Sequence, residues 1–361
     1  MNEKRVLNFS AGPSMLSEVV LKRAQENLIN YQGSGMSVME MSHRSSSYLE
    51  IFDNTKALLK KVMNIPDNYQ IVFIQGGATQ QFSMIPLNLL KKGKADYVVT
   101  GAFSKKAYQE ACKFGDIHVA YDGKANNYSH IPTQEELDLR DDIDYVHICA
   151  NNTIFGTEWK YVPKANAPIV ADMSSNILSK PVNVADYGMI YAGAQKNMGI
   201  AGLGVAIIRE DILQDVKADC PVLLDYKLMI KNDSMYNTPP TYSIYILGEV
   251  LRWIDELGGL EAMEKINVEK AKILYDYLDQ TDFYKAVSEK ENRSLMNVTF
   301  TTPTPELDSQ FVKESVKAGM TNLKGHRSVG GIRASIYNAM PKEGVEFLVA
   351  FMKKFEEENK G

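Results

Sequence analysis

Two residues with reactive side chains, Lys196 and Asp172, each follow a short apolar run of strand character. Lys196 stands in the segment YAGAQKNMG, and Asp172 closes the segment IVAD. A lysine beside apolar and small residues can be desolvated, which lowers its pKa and makes its amine a nucleophile toward carbonyl carbons. Ligands of open parallel sheets bind beyond the carboxyl ends of the strands, where an aspartate could keep a pyridine nitrogen protonated. The plainer alternatives are a lysine whose head reaches solvent and an aspartate that caps a helix.

A third candidate is the segment GGATQQF at residues 76–82, between a predicted strand and a predicted helix. Glycines let a ligand approach the backbone, and the free N–H groups at a helix start bind phosphate. The spacing is neither that of a P-loop nor that of the GxGxxG fingerprint. The glycines at 199, 202 and 204 precede a strand, so they do not indicate a nicotinamide site.

A set of cationic side chains lies in loops rich in serine and glycine. Its members are His43 and Arg44 in MSHRSS, His326 and Arg327 in KGHRSVGG, and Arg333 in GIRAS. The planar guanidinium group suits carboxylates and phosphates, so the set is consistent with a substrate that carries two anionic groups. Surface ion pairing is the alternative for these arginines.

Strand-like and helix-like segments alternate along most of the chain. Helical spacing of apolar residues predicts helices over 14–31, 46–63, 78–90, 104–114, 242–257, 260–278, 306–318 and 342–358. Short apolar runs predict strands over 70–74, 97–100, 117–120, 145–150, 168–171, 188–192, 205–208, 295–300 and 332–335.

The three strand-like runs over 168–171, 188–192 and 205–208 show little alternation of polar and apolar residues. Strands buried on both faces have this pattern, so an α/β fold is predicted with a mostly parallel sheet between helices. The alternation of strands and helices ends at about residue 242, where two long predicted helices begin. We expect a large α/β domain over 1–257 and a smaller α+β domain over 258–361, with the first fifteen or so residues packed on the smaller one.

Composition narrows the class of protein. The 361 residues include 40 basic and 45 acidic side chains, a net charge of −5, which argues against a dedicated nucleic-acid binder. Three separate cysteines, at 112, 149 and 220, make a disulfide framework or a structural zinc site improbable. They favour a reducing cytoplasm, and the N-terminus carries no apolar segment typical of a secretory signal.

Six motifs together resemble one family, the phosphoserine aminotransferases of the class-V, fold-type I pyridoxal phosphate enzymes. In chain order they are FSAGP at 9–13, SHRS at 42–45, GGATQQF at 76–82, VADMSSNILS at 170–179, YAGAQKNMG at 191–199 and GHRSVGGIRASIYNA at 325–339. They span essentially the whole chain. The resemblance implies the fold-type I architecture, the cofactor pyridoxal 5′-phosphate and a homodimer whose sites are shared across the interface.

The resemblance also implies a role for each candidate residue. Lys196 would form the Schiff base with the cofactor, and Asp172 would pair with its pyridine nitrogen. Other cofactor contacts would be the ring-stacking Phe103, the hydrogen-bonding Thr153, the phosphate-binding Ala78, Thr79 and Gln195, and, from the partner subunit, Asn237 and Thr238. The substrate's anionic groups would be bound by His43, Arg44, His326, Arg327 and Arg333.

The implied reaction is the reversible transfer of an amino group between L-glutamate and 3-phosphohydroxypyruvate, giving 2-oxoglutarate and O-phospho-L-serine. The same cationic pocket would allow 4-phosphonooxy-L-threonine as a further substrate. One departure from some relatives concerns the GG loop, where Gly77 is followed by Ala78 and Thr79 rather than by an arginine. One cation near the substrate phosphate is then absent.

Three alternatives stay open at this point. A sister enzyme such as an alanine–glyoxylate or serine–pyruvate aminotransferase would not need the second His-Arg pair. A cysteine desulfurase would need a catalytic cysteine near the C-terminal domain, and none follows Cys220. A ligand-binding protein without chemistry would need neither Lys196 nor Asp172.

Overall fold

The structure, a computed structural model, describes residues 5–213, 215–216 and 220–360. In chain order the strands are β1 (Leu7–Asn8), β2 (Tyr69–Gly76), β3 (Lys94–Val99), β4 (Asp116–Asp122), β5 (Tyr145–Cys149), β6 (Asn151–Asn152), β7 (Thr157–Glu158), β8 (Ile169–Asp172), β9 (Met189–Gly193), β10 (Gly202–Arg209), β11 (Lys285–Ala286), β12 (Asn297–Thr301), β13 (Met320–Thr321) and β14 (Ile332–Ser335). The helices are α1 (Glu18–Glu26), α2 (Ser46–Val62), α3 (Ala78–Leu89), α4 (Ala102–Ala111), α5 (Tyr226–Lys231), α6 (Thr241–Glu256), α7 (Gly259–Leu278), α8 (Pro305–Lys317) and α9 (Lys342–Asn359).

A seven-stranded sheet in the order β2-β10-β9-β8-β5-β3-β4 forms the centre of the fold. Strand β10 runs antiparallel to both of its neighbours, and the pairs from β9 to β4 are parallel. The predicted α/β fold with a mostly parallel sheet between helices is therefore confirmed. Because parallel neighbours end at the same edge, the carboxyl ends of β5, β8 and β9 lie side by side.

Each face of this sheet has its own apolar core, and successive residues of one strand serve different faces. In β10, Val205 and Ile207 belong to the core that includes the buried side chains of α2 and α6. Ala206 and Ile208 belong to the core that includes those of α3, α4 and α5. Burial on both faces explains why these strands read as unbroken apolar runs in the sequence.

A third apolar core includes residues of α7, α8, α9, β12 and β14. Strand β1 pairs with β13 in parallel, and the neighbouring Phe9 belongs to this third core, so the N-terminal segment packs on the C-terminal part of the chain. A separate core is what a second domain would have, so it supports the predicted domain boundary between residues 257 and 258. The boundary itself stays a prediction. Within the described residues, no helix is long and apolar enough to cross a membrane.

The predicted helix over 14–31 is wrong in its bounds, since α1 covers only Glu18–Glu26. The expected first turn does not form, because Ser14 is bonded to another segment. Its backbone N–H donates to the carbonyl oxygen of Gln195, and its hydroxyl donates to that of Lys196. The expected end of the helix is replaced by a turn in which Asn27 Nδ2 donates to the carbonyl oxygen of Arg23. Asparagine competes with the helix backbone in this way.

Candidate active site

A cavity of about 320 Å³ lies at the carboxyl ends of β5, β8 and β9. Each strand delivers side chains to it: Thr153 follows β5, Asp172 ends β8, and Lys196 follows β9. Ligand pockets of this size occur at this edge of α/β sheets. The cavity therefore brings together the two reactive residues that the sequence predicted.

Lys196 is held in the cavity by its backbone and by its side chain. Ser14 Oγ donates to the Lys196 carbonyl oxygen at 2.7 Å, which ties the N-terminal segment to the lysine. At the other end of the side chain, Nζ donates to Thr153 Oγ1 at 2.8 Å and lies 5.7 Å from the ring centroid of Phe103. The amine is thus aimed into the cavity, with a hydroxyl and an aromatic ring beside it.

Asp172 is a buried carboxylate on the cavity floor. Its Oδ1 accepts hydrogen bonds from the backbone N–H of Ser174 at 2.9 Å and from Ser174 Oγ at 2.6 Å. Burial raises the pKa of Asp172, whereas the bonds from Ser174 and the charge of Lys196 oppose the rise. A buried carboxylate of this kind gains stability from a cationic partner in the cavity.

The helix start at α3 forms the corner of the cavity where a phosphate would fit. Gly77 precedes the helix, and Ala78 and Thr79 occupy its first turn, where backbone N–H groups have no partner within the helix. Gly76 has φ +116°, and a Cβ there would lie 2.3 Å from Gln80 Oε1, so the turn requires glycine. Gln195 lines the same cavity. A helix N-terminus with approachable backbone is a general anion site.

The cationic candidates divide into two groups. His326 and Arg333 line the cavity. Arg333 Nε is buried without a hydrogen-bond partner among the described residues, and burial lowers the pKa of its guanidinium group. Burial and the nearby charges of Arg333, Arg327 and Lys106 lower the pKa of His326. A half-buried guanidinium group without a counter-charge among the described residues is consistent with an anionic ligand.

The other predicted contacts do not line this cavity. Arg327 lines a neighbouring groove with residues 301–313, and Arg44 is exposed. His43 Nε2 is buried without a partner among the described residues. Asn237 Nδ2 donates to Gln75 Oε1 at 3.3 Å, at the end of the strand that leads into the GG loop. The roles of Asn237, Thr238 and these three cations stay predictions.

A family model described as aminotransferase class-V matches residues 6–348 of the chain. The chain belongs to the class-V aminotransferase family. The enzymes of this family depend on pyridoxal phosphate. The resemblance and the fold class predicted from the motifs are therefore confirmed.

Full-length relatives of this class-V aminotransferase are named phosphoserine aminotransferases. The protein of Bacillus cereus is 51% identical over 359 residues, which cover 99% of this chain and 100% of the relative. The solved structure of the enzyme from Bacillus circulans subsp. alkalophilus is 46% identical, with a TM-score of 0.97, and covers 99% of this chain and 100% of its own. The solved structure of the enzyme from Trichomonas vaginalis with bound pyridoxal phosphate is 40% identical, with a TM-score of 0.93. The match covers 97% of this chain and 100% of that one.

The donor set fits the cofactor that this family uses. The cavity offers an amine at Lys196, a buried carboxylate at Asp172, an aromatic ring at Phe103 and free N–H groups at the start of α3. In the cofactor, the amine would meet the aldehyde and the carboxylate would meet the pyridine nitrogen. The aromatic ring would stack on the flat ring, and the N–H groups would bind the phosphate. The cofactor requirement of this class-V aminotransferase thus agrees with the chemistry of its cavity.

Sequence reasoning missed a buried polar chain beneath Asp172. Tyr191 lies directly opposite Asp172 in the pairing of β9 with β8, and the hydroxyl of Tyr191 lowers the pKa of the carboxyl group. Tyr191 Oη lies 2.9 Å from His147 Nε2, and burial lowers the pKa of His147 to about 3. His147 is therefore neutral, and it stacks on Tyr97 at 4.6 Å. A signal was available, since both His147 and Tyr191 interrupt apolar strands.

A second missed residue is Lys270, which is fully buried in α7. Its Nζ donates to the carbonyl oxygens of Ile336 at 3.1 Å, Tyr337 at 2.8 Å and Met340 at 3.0 Å. The same turn approaches the active site, because the backbone N–H of Asn338 donates to Oδ1 of Asn197, the residue after Lys196. A lysine in a helical pattern carries no sequence signal for this role.

Proposed function

We propose that this chain is a phosphoserine aminotransferase. It transfers the amino group of L-glutamate to 3-phosphohydroxypyruvate and gives 2-oxoglutarate and O-phospho-L-serine, a step of serine biosynthesis. The observation that carries the proposal is the single cavity that combines Lys196, Asp172 and a cationic wall, in a chain 51% identical over its whole length to an enzyme of that name. The sister activity on alanine and glyoxylate is not favoured, because the structural relative of that name is 17% identical and shares only the fold.

Pyridoxal phosphate, when bound, supplies an aldehyde that takes up amino groups and a ring that withdraws electrons from the substrate's Cα. Lys196 Nζ is the amine that would hold the aldehyde, and the amino group of the substrate would take its place there. The Lys196 amine, once free, would act as the base that takes the proton from the substrate's Cα and then as the acid that gives the proton up. Thr153 Oγ1, 2.8 Å from Nζ, keeps the amine in the cavity during this exchange.

Asp172 is the group that would hold a proton at the pyridine nitrogen. The pair of hydrogen bonds from Ser174 fixes the carboxyl group, and burial strengthens its attraction for the protonated ring. Behind the carboxyl group lie the neutral His147 and the hydroxyl of Tyr191. Neither group is a cation, so neither competes with the pyridine ring for the charge of Asp172. This arrangement would keep a bound pyridine ring protonated and electron-poor, and removal of the Cα proton requires such a ring.

The wall that faces the substrate selects for charge. Arg333 and His326 provide cationic or hydrogen-bonding groups at the cavity, and the predicted contributions of His43, Arg44 and Arg327 would add to them. Glutamate carries a carboxylate where 3-phosphohydroxypyruvate carries a phosphate, and one cationic pocket accepts both. The same pocket is compatible with 4-phosphonooxy-L-threonine.

The active protein is proposed to be a homodimer in the cytoplasm. Large apolar side chains are exposed beside the predicted site residues that do not line the chain's own cavity. Ile29 is 83% exposed and Met39 56% exposed, shortly before His43, and Tyr236 is 44% exposed, directly before Asn237. A subunit interface over this surface would cover these side chains, and a second copy bound there would bring Asn237 and Thr238 to the phosphate corner. The sequence has three cysteines, far apart in the chain, and this sparse usage supports the cytoplasm.

Mixed dimers test the sharing of sites. Lys196→Ala and the double variant Asn237→Ala, Thr238→Ala are each expected to be weakly active alone. Co-expressed, they form mixed dimers with one intact site if Asn237 and Thr238 act on the partner's cavity, so activity recovers to about a quarter of the wild type. If the co-expressed variants are no more active than the two separate variants added together, Asn237 and Thr238 act on the cavity of their own chain.

The reaction itself is tested by the absorbance spectrum of the purified protein with pyridoxal phosphate. We expect a visible band that is bleached by L-glutamate and restored by 3-phosphohydroxypyruvate, because the two half-reactions share one cofactor. A band that ignores glutamate and responds to alanine would assign a sister activity instead.

A further inference from the structure

Lys106 lies beside the active-site cavity but has no role in the proposed function so far. It follows Phe103 by one turn of α4, and its Nζ lies 5.6 Å from the ring centroid of Phe103. Lys196 Nζ lies 5.7 Å from the same centroid, so the two amines are no further apart than the sum of these distances. A flexible four-carbon stem lets the ammonium group of Lys106 move toward the cavity.

The positive charge of Lys106 has no counter-charge in an ion pair with a described residue. In the described part of the chain, no carboxylate lies within 4.0 Å of its Nζ, whereas Lys113, just beyond the same helix, pairs with Glu110 at 2.6 Å. The charge of Lys106 lowers the pKa of His326 in the cavity wall, as the charges of Arg333 and Arg327 also do.

Apart from Asp172, no described carboxylate lines the cavity. Neither His326 nor Arg333 forms an ion pair with a described carboxylate, and Arg333 Nε is buried without a partner among the described groups. Arg333 and Lys106 are thus two cations near His326 without a counter-charge among the described residues, and an anionic ligand would balance them. Of the substrates proposed above, the phosphorylated ones bring the larger charge, since a phosphate monoester carries up to two negative charges and a carboxylate one.

We propose that Lys106 binds the phosphate group of the phosphorylated substrate and sets the preference of the site for phosphate over carboxylate. It supplies the positive charge that the GG loop does not, since Ala78 and Thr79 are uncharged there. This inference rests on the proposed function, because it assigns a residue to the phosphorylated substrate of that reaction.

The test compares Lys106→Met with Lys105→Met in the holoenzyme. Lys105 is the neighbouring residue on α4, is also exposed, and has no described carboxylate within 4.0 Å, so its variant controls for the loss of one surface charge. Half-reactions followed by the visible band give the concentration of each amino acid at half-saturation. For Lys106→Met we expect O-phospho-L-serine to bind about threefold to tenfold more weakly, and L-glutamate to change less than twofold.

Two additions sharpen the comparison. Lys106→Arg should restore most of the affinity for O-phospho-L-serine, because the charge and reach are kept. Inorganic phosphate should inhibit the glutamate half-reaction of the wild type and of Lys105→Met more strongly than that of Lys106→Met. Equal losses for O-phospho-L-serine and L-glutamate, or the same effect from Lys105→Met, would overturn the proposal.

The outcomes also separate this inference from the proposed function. If the wild type reacts with glutamate but not with O-phospho-L-serine, the proposed function fails. Inhibition by inorganic phosphate then still decides the role of Lys106, because equal inhibition constants for the wild type and Lys106→Met would show that Lys106 binds no phosphate.

Discussion

Lys196 Nζ donates a hydrogen bond of 2.8 Å to Thr153 Oγ1, which joins the segment after β9 to the segment after β5 across the active-site cavity. The two residues are 43 positions apart in the chain. Their contact exists because β5, β8 and β9 are parallel and end at the same edge of the sheet. The amine is therefore positioned before any ligand enters, and removing either group has a distinct expected effect.

Lys196→Ala should abolish the visible absorbance of the cofactor-loaded protein, because no other described amine lines the cavity. Borohydride should then fail to fix the cofactor to the chain, as measured by mass spectrometry. The far-ultraviolet circular dichroism should match that of the wild type. A band that persists and is fixed by borohydride would contradict the assignment of Lys196.

Thr153→Val should leave the band but weaken the holding of the cofactor. Valine keeps the volume of threonine and removes the hydroxyl that accepts from Lys196 Nζ, a hydrogen bond worth about 1 kcal/mol. We expect the dissociation constant of pyridoxal phosphate to rise about fivefold, measured by equilibrium dialysis of the apo-protein. Unchanged cofactor affinity would show that the hydroxyl serves neither the lysine nor the cofactor.

Asp172→Asn should lower kcat by about a hundredfold to a thousandfold, because a neutral amide replaces the charge that keeps the pyridine nitrogen protonated. Tyr191→Phe removes only a hydroxyl behind the carboxyl group, so it should cost less than tenfold. Steady-state kinetics with saturating substrates give both values. The reverse order of the two effects would contradict the role assigned to Asp172.

The local motifs allowed much of the cavity to be predicted from the sequence. Lys196, Asp172 and the GG loop each lie within a few residues of a strand end, so a short segment carries both the residue and its position. The chain beneath Asp172 could not be found this way, because Tyr191 meets it only through the register of β8 with β9. Register depends on the whole sheet rather than on local pattern.

The bounds of long helices were also largely predictable, and the exceptions have a tertiary cause. The helix predicted over 14–31 is shorter because Ser14 bonds to the segment that carries Lys196. Lys270 could not be predicted as buried, since its helical pattern reads like that of any exposed lysine. Its burial depends on a turn 66 to 70 positions away.

The ring of His130 lies between two carboxylates and makes stability depend on pH. Nε2 lies 3.0 Å from Glu136 Oε2 and Nδ1 lies 3.0 Å from Glu289 Oε2. Burial disfavours the charged ring, but the two carboxylates outweigh it and raise the pKa of His130. A raised pKa in the folded state gives stability that is present at pH 5 and is lost as pH rises through the folded-state pKa.

His130→Gln should therefore be less stable than the wild type at pH 5, by about 1 kcal/mol or less, and nearly equal to it at pH 8. Urea unfolding at the two pH values measures the difference. Glu289→Gln should show a smaller difference of the same sign, since one carboxylate remains. A deficit that grows with pH would contradict the prediction.

Lys270 makes stability depend on pH in the opposite sense. Burial lowers the pKa of Lys270 to about 7 from 10.5. Among the described residues its amine donates to backbone carbonyl oxygens and pairs with no carboxylate. The unfolded chain therefore holds more protons than the folded chain between these two values. Stability of the wild type should rise across that window relative to Lys270→Met, by at most about 1.4 kcal/mol per pH unit.

Lys272→Met is the matched control for this comparison, because Lys272 lies in the same helix, is exposed, and pairs with Asp276 at 2.5 Å. Urea midpoints at pH 7, 8 and 9 should diverge between the wild type and Lys270→Met and stay parallel between the wild type and Lys272→Met. Parallel curves for both variants would mean that Lys270 keeps its proton throughout. The carbonyl oxygens of Tyr337 and Met340 would then stabilise the ammonium group enough to offset its burial.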